Sequence, residues 1–343
     1  MASKYLQYNK GKISLFLILS LVGVFSFWQR EMIGYLWMQG KGQLSIVSNT
    51  IPLDDVLKSD TISAKNRFLL ELIPEIKSFS EKELGLTPGD NYTSYYQQKG
   101  KPILWALTAC PPYSLEPYKW SFPILGELEY KGFFEKPLGD LEAQKLQNQG
   151  FDIELGEVSA WSTLGILSDP ILSSMLELDT GKFVRLLVHE LTHATVYISS
   201  DAVFNENMAT YIGDKGALQF LNQKFGENSP VVQRYKETLQ DIELFSEYTV
   251  AYSKSIDLLY KSLPSDSSMW PILKQRSFKA YKNKLFLLPF NDRKRYQNVQ
   301  KLALNNTFFT GFLMYHNQQD SIQKLIKELH AGSIKNWVES IKG

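Results

Sequence analysis

The pentapeptide His189-Glu190-Leu191-Thr192-His193 constrains this chain more than any other feature of it. Residues i and i+4 lie one above the other on a helix face. Two imidazoles so placed can bind one Zn²⁺, each at about 2.0–2.1 Å. The glutamate at i+1 then stands beside the metal, where it can take a proton from an attacking water. The surrounding residues Phe183, Val184, Leu186, Leu187, Val188, Leu191, Ala194, Val196 and Tyr197 are apolar on most sides. The helix expected over 183–199 must therefore run through the core. Two histidines and a glutamate buried there without a partner would be costly, and a metal ion removes that cost. The chain has only 4 histidines, so this arrangement uses half of them. The competing reading is a fortuitous match on an exposed helix.

Catalytic zinc takes three protein ligands and keeps a position for water. The segment Phe204-Asn205-Glu206-Asn207-Met208-Ala209-Thr210 opens a second helix, expected over 206–225. A short loop over 200–203 lets the two helices pack as an antiparallel pair. Glu206 in the first turn can then face the metal, giving one zinc held by His189, His193 and Glu206, with Glu190 as the base. The N-E-x-x-A pattern at this place is that of the glutamate-zincins. A glutamate favoured there only by the helix dipole is the plainer alternative. Asp201 is the other candidate oxygen ligand. The longer metzincin pattern is excluded, because positions 196 and 199 hold Val196 and Ser199 rather than glycine and histidine.

Net charge is +1 over 343 residues, so no global field selects nucleic acid. The run Arg293-Lys294-Arg295 reads as a solvated helix face. The one cysteine, Cys110, ends the apolar run Ile103–Ala109 and reads as a buried, inert thiol rather than a nucleophile. Ile13 to Trp28 is uncharged, with Lys4, Lys10 and Lys12 before it and Arg30 and Glu31 after it. This predicts a cytoplasmic tail over 1–12 and a transmembrane signal anchor over 13–30, with a cleaved signal peptide as rival. Trp28, Tyr35 and Trp37 would suit the outer interface. The remaining 31–343 would form one zinc-peptidase-like ectodomain outside the cytoplasm, in the periplasm or cell envelope.

Within it, Phe68, Leu69, Leu72, Ile73, Ile76 and Phe79 predict a helix over 63–84, with Pro74 as a kink site. Gly85 to Gly100 reads as loop. Strands are expected over 103–109, 125–130 and 151–158, with a helix over 138–148 ended by Gly150. Further helices are expected over 230–263, 269–288, 293–315 and 318–330. The expected class is α+β: an amino-terminal membrane anchor, a small mixed or antiparallel sheet, then a predominantly helical zincin-like body.

Several short segments carry a family resemblance. They are Tyr35 with Gln39 and Gly42-Gln43-Leu44; Ser114-Leu115-Glu116-Pro117; Tyr130-Lys131-Gly132-Phe133-Phe134; Ser162-Thr163-Leu164-Gly165 with Asp169-Pro170; the His189 motif; Phe204-Asn205-Glu206 with Ala209-Thr210; and Leu304-Asn305-Asn306. Together, in this order, the chain resembles the bacterial "putative aminopeptidase" family of HExxH zinc peptidases. The resemblance implies a peptide substrate and removal of amino-terminal residues. A lipoprotein cysteine, carried by many relatives, is missing here, and so is a G-x-M-E-N amine-binding segment.

Tyr315, with His316 as rival, is the candidate donor to the oxyanion. Thr163, Leu164 and Gly165 are candidates to pair with an extended substrate, or else form a turn into Asp169-Pro170. Asp214 or Asp201 could orient a metal histidine. Two other readings share these residues: an inactive envelope-anchored scaffold on a peptidase fold, and a zinc hydrolase of a non-peptide amide.

Overall fold

The computed structural model describes residues 30–122, 126–158, 168–199 and 201–342. The chain divides into two compact units, Met1–Ser48 and Asn49–Gly343. The first contributes helix α1 (Arg30–Val47). The second runs in the order β1 (Ile51–Pro52), α2 (Leu53–Leu57), α3 (Ala64–Leu84), β2 (Ser94–Tyr96), β3 (Trp105–Cys110), β4 (Trp120–Phe122), β5 (Gly126–Leu128) and β6 (Lys131–Phe133). It continues with α4 (Lys136–Asn148), β7 (Asp152–Glu157), β8 (Ile171–Leu172), α5 (Thr180–Thr195), α6 (Ala202–Phe225), α7 (Pro230–Lys261) and α8 (Trp270–Leu285). The last elements are α9 (Arg293–Lys301), α10 (Asn306–His316), α11 (Gln319–Leu329) and α12 (Ile334–Lys342).

Two expectations are corrected. The class is mostly helical with small sheets rather than α+β: 64% of the described residues are helical, and the described strands are two to six residues long. Among the described residues, no helix is long and apolar enough to cross a membrane. The described end of the expected anchor is the start of α1, which carries Arg30, Glu31, Gln39, Lys41 and Gln43 and so is too polar to span. Residues 1–29 lie outside the described residues. The transmembrane anchor, the membrane partner and the location outside the cytoplasm inferred from it are therefore not supported.

The sheets are local. β1 pairs antiparallel with β2, and β2 pairs parallel with β8. β3 lies between β6 and β7, antiparallel to both, while β4 and β5 pair antiparallel with each other. β2 falls inside the segment expected as loop.

α5 is the centre of the helical body. Asp179 caps it, accepting from Lys182 N at 2.9 Å. Phe183, Val184, Leu187, Val188 and Leu191 on it are fully buried, and it packs against α3, α6 and α7. Thr192 keeps its buried hydroxyl satisfied by donating to Val188 O at 2.8 Å. The helix ends at Thr195, two residues past His193 and short of the expected 199, and Val196 after it is extended. α3 continues through Pro74 as one helix.

α6 approaches α5 closely because it presents Gly213 and Gly216. A Cβ on Gly213 would stand 3.2 Å from both Arg185 O and His189 Cβ; one on Gly216 would stand 2.6 Å from Leu84 Cδ1 and 3.1 Å from Val188 Cγ1. A second core, aromatic, joins α7, α8 and α10 through Ile256, Tyr260, Phe278, Tyr281, Leu285 and Phe309.

The helix expected over 293–315 is two helices, α9 and α10. Asn305 separates them, accepting from Thr307 N at 2.9 Å as the cap of α10. Asn306 then ties α10 to the sheet. Its N donates to Asp152 Oδ2 at 2.8 Å, its Nδ2 to Pro111 O at 2.8 Å and Ser114 O at 3.0 Å, and its Oδ1 accepts from Tyr260 OH at 2.7 Å. Lys274 pairs with the same Asp152 carboxylate. The short segments at 114–117 and 304–306 thus meet at one buried junction. Cys110 sits beside it, donating to Ser114 O, and burial pushes its thiol up to about 12.

Candidate metal centre

α5 and α6 bring three side chains together. His189 Nε2 lies 3.2 Å from His193 Nε2, and Glu206 Oε2 lies 3.5 Å and 3.4 Å from them. A charge-assisted N–H···O⁻ hydrogen bond is shorter, about 2.7–2.9 Å. Ligands at 2.0–2.1 Å around a tetrahedral ion stand about 3.3–3.4 Å apart. The three separations fit the edges of such a tetrahedron, so the residues fit zinc. Among the described residues, this trio is the group of His, Cys, Asp and Glu side chains that could hold a metal ion.

His189, Glu190 and His193 are buried and Glu206 is half-buried. Burial alone would raise the Glu206 carboxyl. The close approach of His189 and His193, and their charge, overcome burial and hold it well below the usual carboxylate range. His193 shows the complement: burial would lower it, but Glu206 and then Glu190 raise it above its ordinary value. The Nδ1 atoms of both histidines are buried without a hydrogen-bond partner among the described residues.

Asn205 holds Ile198, which lies between the two helices. Its Oδ1 accepts from Ile198 N at 2.9 Å and its Nδ2 donates to Ile198 O at 2.8 Å. Asp201 caps α6 through Phe204 N at 3.0 Å and is not part of the metal trio. Asp214 pairs with Arg185, one turn before His189, and does not reach a histidine Nδ1. Glu206 stands one turn inside α6, since that helix begins at Ala202.

Tyr315, at the end of α10, reaches this centre. Its ring centroid lies 6.5 Å from that of His189. The residue is 37% exposed. Burial, then the charges of Glu206, Tyr130 and Glu190, push its phenol well above its ordinary value. His316 instead pairs Nδ1 with Ser246 Oγ at 3.3 Å and stacks on Phe312. Thr163, Leu164 and Gly165 lie outside the described residues.

Tyr92 is a neighbour that sequence reasoning missed. It is buried, takes a φ of +62°, and donates its N–H to Asp169 O at 2.7 Å. Burial, then Glu190 and Asp169, push its phenol well above the ordinary range, so Tyr92 and Tyr315 both feel the Glu190 carboxylate. A bulky residue at positive φ is uncommon and concentrates at functional sites. Nothing in its local sequence announces it.

A family model described as "Putative aminopeptidase" matches residues 34–343. The chain belongs to that family. A comparison with curated proteins and with solved structures finds no match. The match spans every residue of the metal trio together with Tyr92, Glu190 and Tyr315, so the site belongs to the part of the chain that the family shares.

Proposed function

We propose that the chain is a zinc-dependent peptidase that hydrolyses peptide bonds by direct attack of water, acting on free amino termini. The observation that carries the reading is the trio of His189, His193 and Glu206 at tetrahedral separations, with Glu190 on the same buried helix. The family description supports peptidase chemistry and the preference for amino termini.

His189 and His193 would hold the ion through Nε2, and Glu206 through Oε2. When bound, zinc supplies Lewis-acid polarisation and acidifies the attacking water. Glu190 orients that water and takes its proton as the oxygen attacks the scissile carbonyl carbon. Tyr315 donates its phenolic hydrogen toward the resulting oxyanion. Glu190 then returns the proton to the amine nitrogen as the C–N bond breaks, leaving a carboxylate and a free amine. No covalent intermediate with the protein is needed. Thr163, Leu164 and Gly165 are assigned to the substrate's main chain from the sequence alone.

Metal analysis of the purified chain tests the site: about one zinc per wild-type chain, lost or much weakened in His193→Ala and in Glu206→Ala. Glu190→Gln should keep the metal and lower kcat on the order of 10²–10⁴-fold. A well-folded wild-type chain that takes up no zinc when it is supplied sinks the proposal. Turnover of free-amine peptides but not of their N-acetylated forms would establish the exopeptidase preference.

A further inference from the structure

Asn207 directly follows the ligand Glu206 and is fully buried. Neighbours on a helix diverge by about 100°. While Glu206 faces α5, Asn207 engages the corner between α10 and α11. Its Nδ2 donates to Val203 O at 2.8 Å, to Met314 O at 2.7 Å and to Asn317 Oδ1 at 3.1 Å. Its Oδ1 accepts from Gln318 N at 2.9 Å and from Gln319 Nε2 at 3.2 Å. Gln319 Nε2 also reaches Asn207 O at 3.0 Å and Tyr315 O at 2.9 Å.

Met314 O and Tyr315 O belong to the last turn of α10, and Gln318 N to the start of α11. Such terminal groups have no partner within their own helix. Here they are satisfied from α6, next to a metal ligand, and by a glutamine that touches both. The carbonyls on either side of the Tyr315 Cα are therefore held to the same helical turn that carries Glu206.

We propose that Asn207, seconded by Gln319, is a positioning residue that sets Tyr315 against the metal centre. The inference rests on the role given to Tyr315 above. Asn207 touches neither substrate nor ion; it transmits the position of the α6 turn to the phenol. A misplacement of about 1 Å in such a group can cost on the order of 10²-fold in rate.

The test uses the full zinc-loaded chain with 3-fluorotyrosine incorporated at position 315, in wild type, Asn207→Ser and Gln319→Met. Zinc content should be unchanged in both variants. The fluorine resonance should shift and broaden. With unlabelled protein and a peptide substrate, kcat should fall about tenfold or more, with KM held within about twofold. In a Tyr315→Phe background neither substitution should lower kcat further. An unmoved resonance in zinc-loaded variants, or an equal loss of kcat without the phenol, overturns the proposal. Should Asn207→Ser fail to fold, the milder Gln319→Met decides. A wild-type chain that turns over no peptide overturns the peptidase reading alone, because the fluorine resonance still decides the role of Asn207.

Discussion

The phenol of Tyr315 and the imidazole of His316 are adjacent in sequence and stand in different chemistry. Tyr315 feels the Glu206 and Glu190 carboxylates, so Tyr315→Phe should leave zinc content unchanged and lower kcat on the order of 10²–10³-fold, the usual loss of one oxyanion donor. His316 is pushed down to about 4 by burial, with Asp214 opposing and Arg185 assisting. Its unfolded value is about 6.5, so the unfolded chain binds the extra proton first as pH falls. Stability should therefore drop between pH 6.5 and 4, by on the order of 3 kcal/mol from this residue, and level off below. Denaturant unfolding across that window should show a flatter acid limb in His316→Gln. At this scale the pentapeptide was legible because i and i+4 spacing is purely local. Tyr92 was not, because its place beside Glu190 depends on a positive φ and on a bond to Asp169, far along the chain.

Helix pairs carry the site, and two glycines set how close they come. Alanine at 213 would press on Arg185 O and His189 Cβ, atoms of the metal helix itself that cannot swing aside. Gly213→Ala should cost about 1–3 kcal/mol and weaken zinc retention with it, read from thermal unfolding and from competition with a chelator. Most of the long helices could be read from apolar residues recurring at the helical period. Their interruptions could not: Leu302 and Leu304 before Asn305 and Phe308 after it carry the apolar pattern across that residue, whose capping bond depends on its own side chain. β1, β2 and β8, of two or three residues each, are too short to show alternation.

For the molecule as a whole, the buried junction at Asn306 joins the β3 sheet to the helical body that holds Tyr315. Asn306→Ala would strand Tyr260 OH and Pro111 O, groups whose desolvation costs about 1–3 kcal/mol apiece, and would leave Ser114 O to the Cys110 thiol alone. The midpoint of denaturation should fall accordingly while the metal trio, held by α5 and α6, still binds zinc. Sequence alone pointed to the two partners of this junction as separate short segments, since nothing local indicates that residues so far apart meet. The expected class, α+β with one small mixed or antiparallel sheet, gives way to a mostly helical one, in which the described strands make three small local sheets.

His189, His193 and Glu206 all come from two consecutive helices joined by one short connection. Bridging them closes a brief stretch of chain that covalent continuity already keeps together, and loop-closure entropy depends on the length closed. An ion there gathers no distant parts of the polypeptide. The protein stripped by a chelator should accordingly remain folded and unfold cooperatively. Its loss of stability should be only what mass action withdraws, about 4 kcal/mol relative to free zinc held at 1,000 times its Kd. Returning the ion should restore the loaded state without any refolding phase, so that occupancy can follow zinc supply as a reversible saturation of a standing framework.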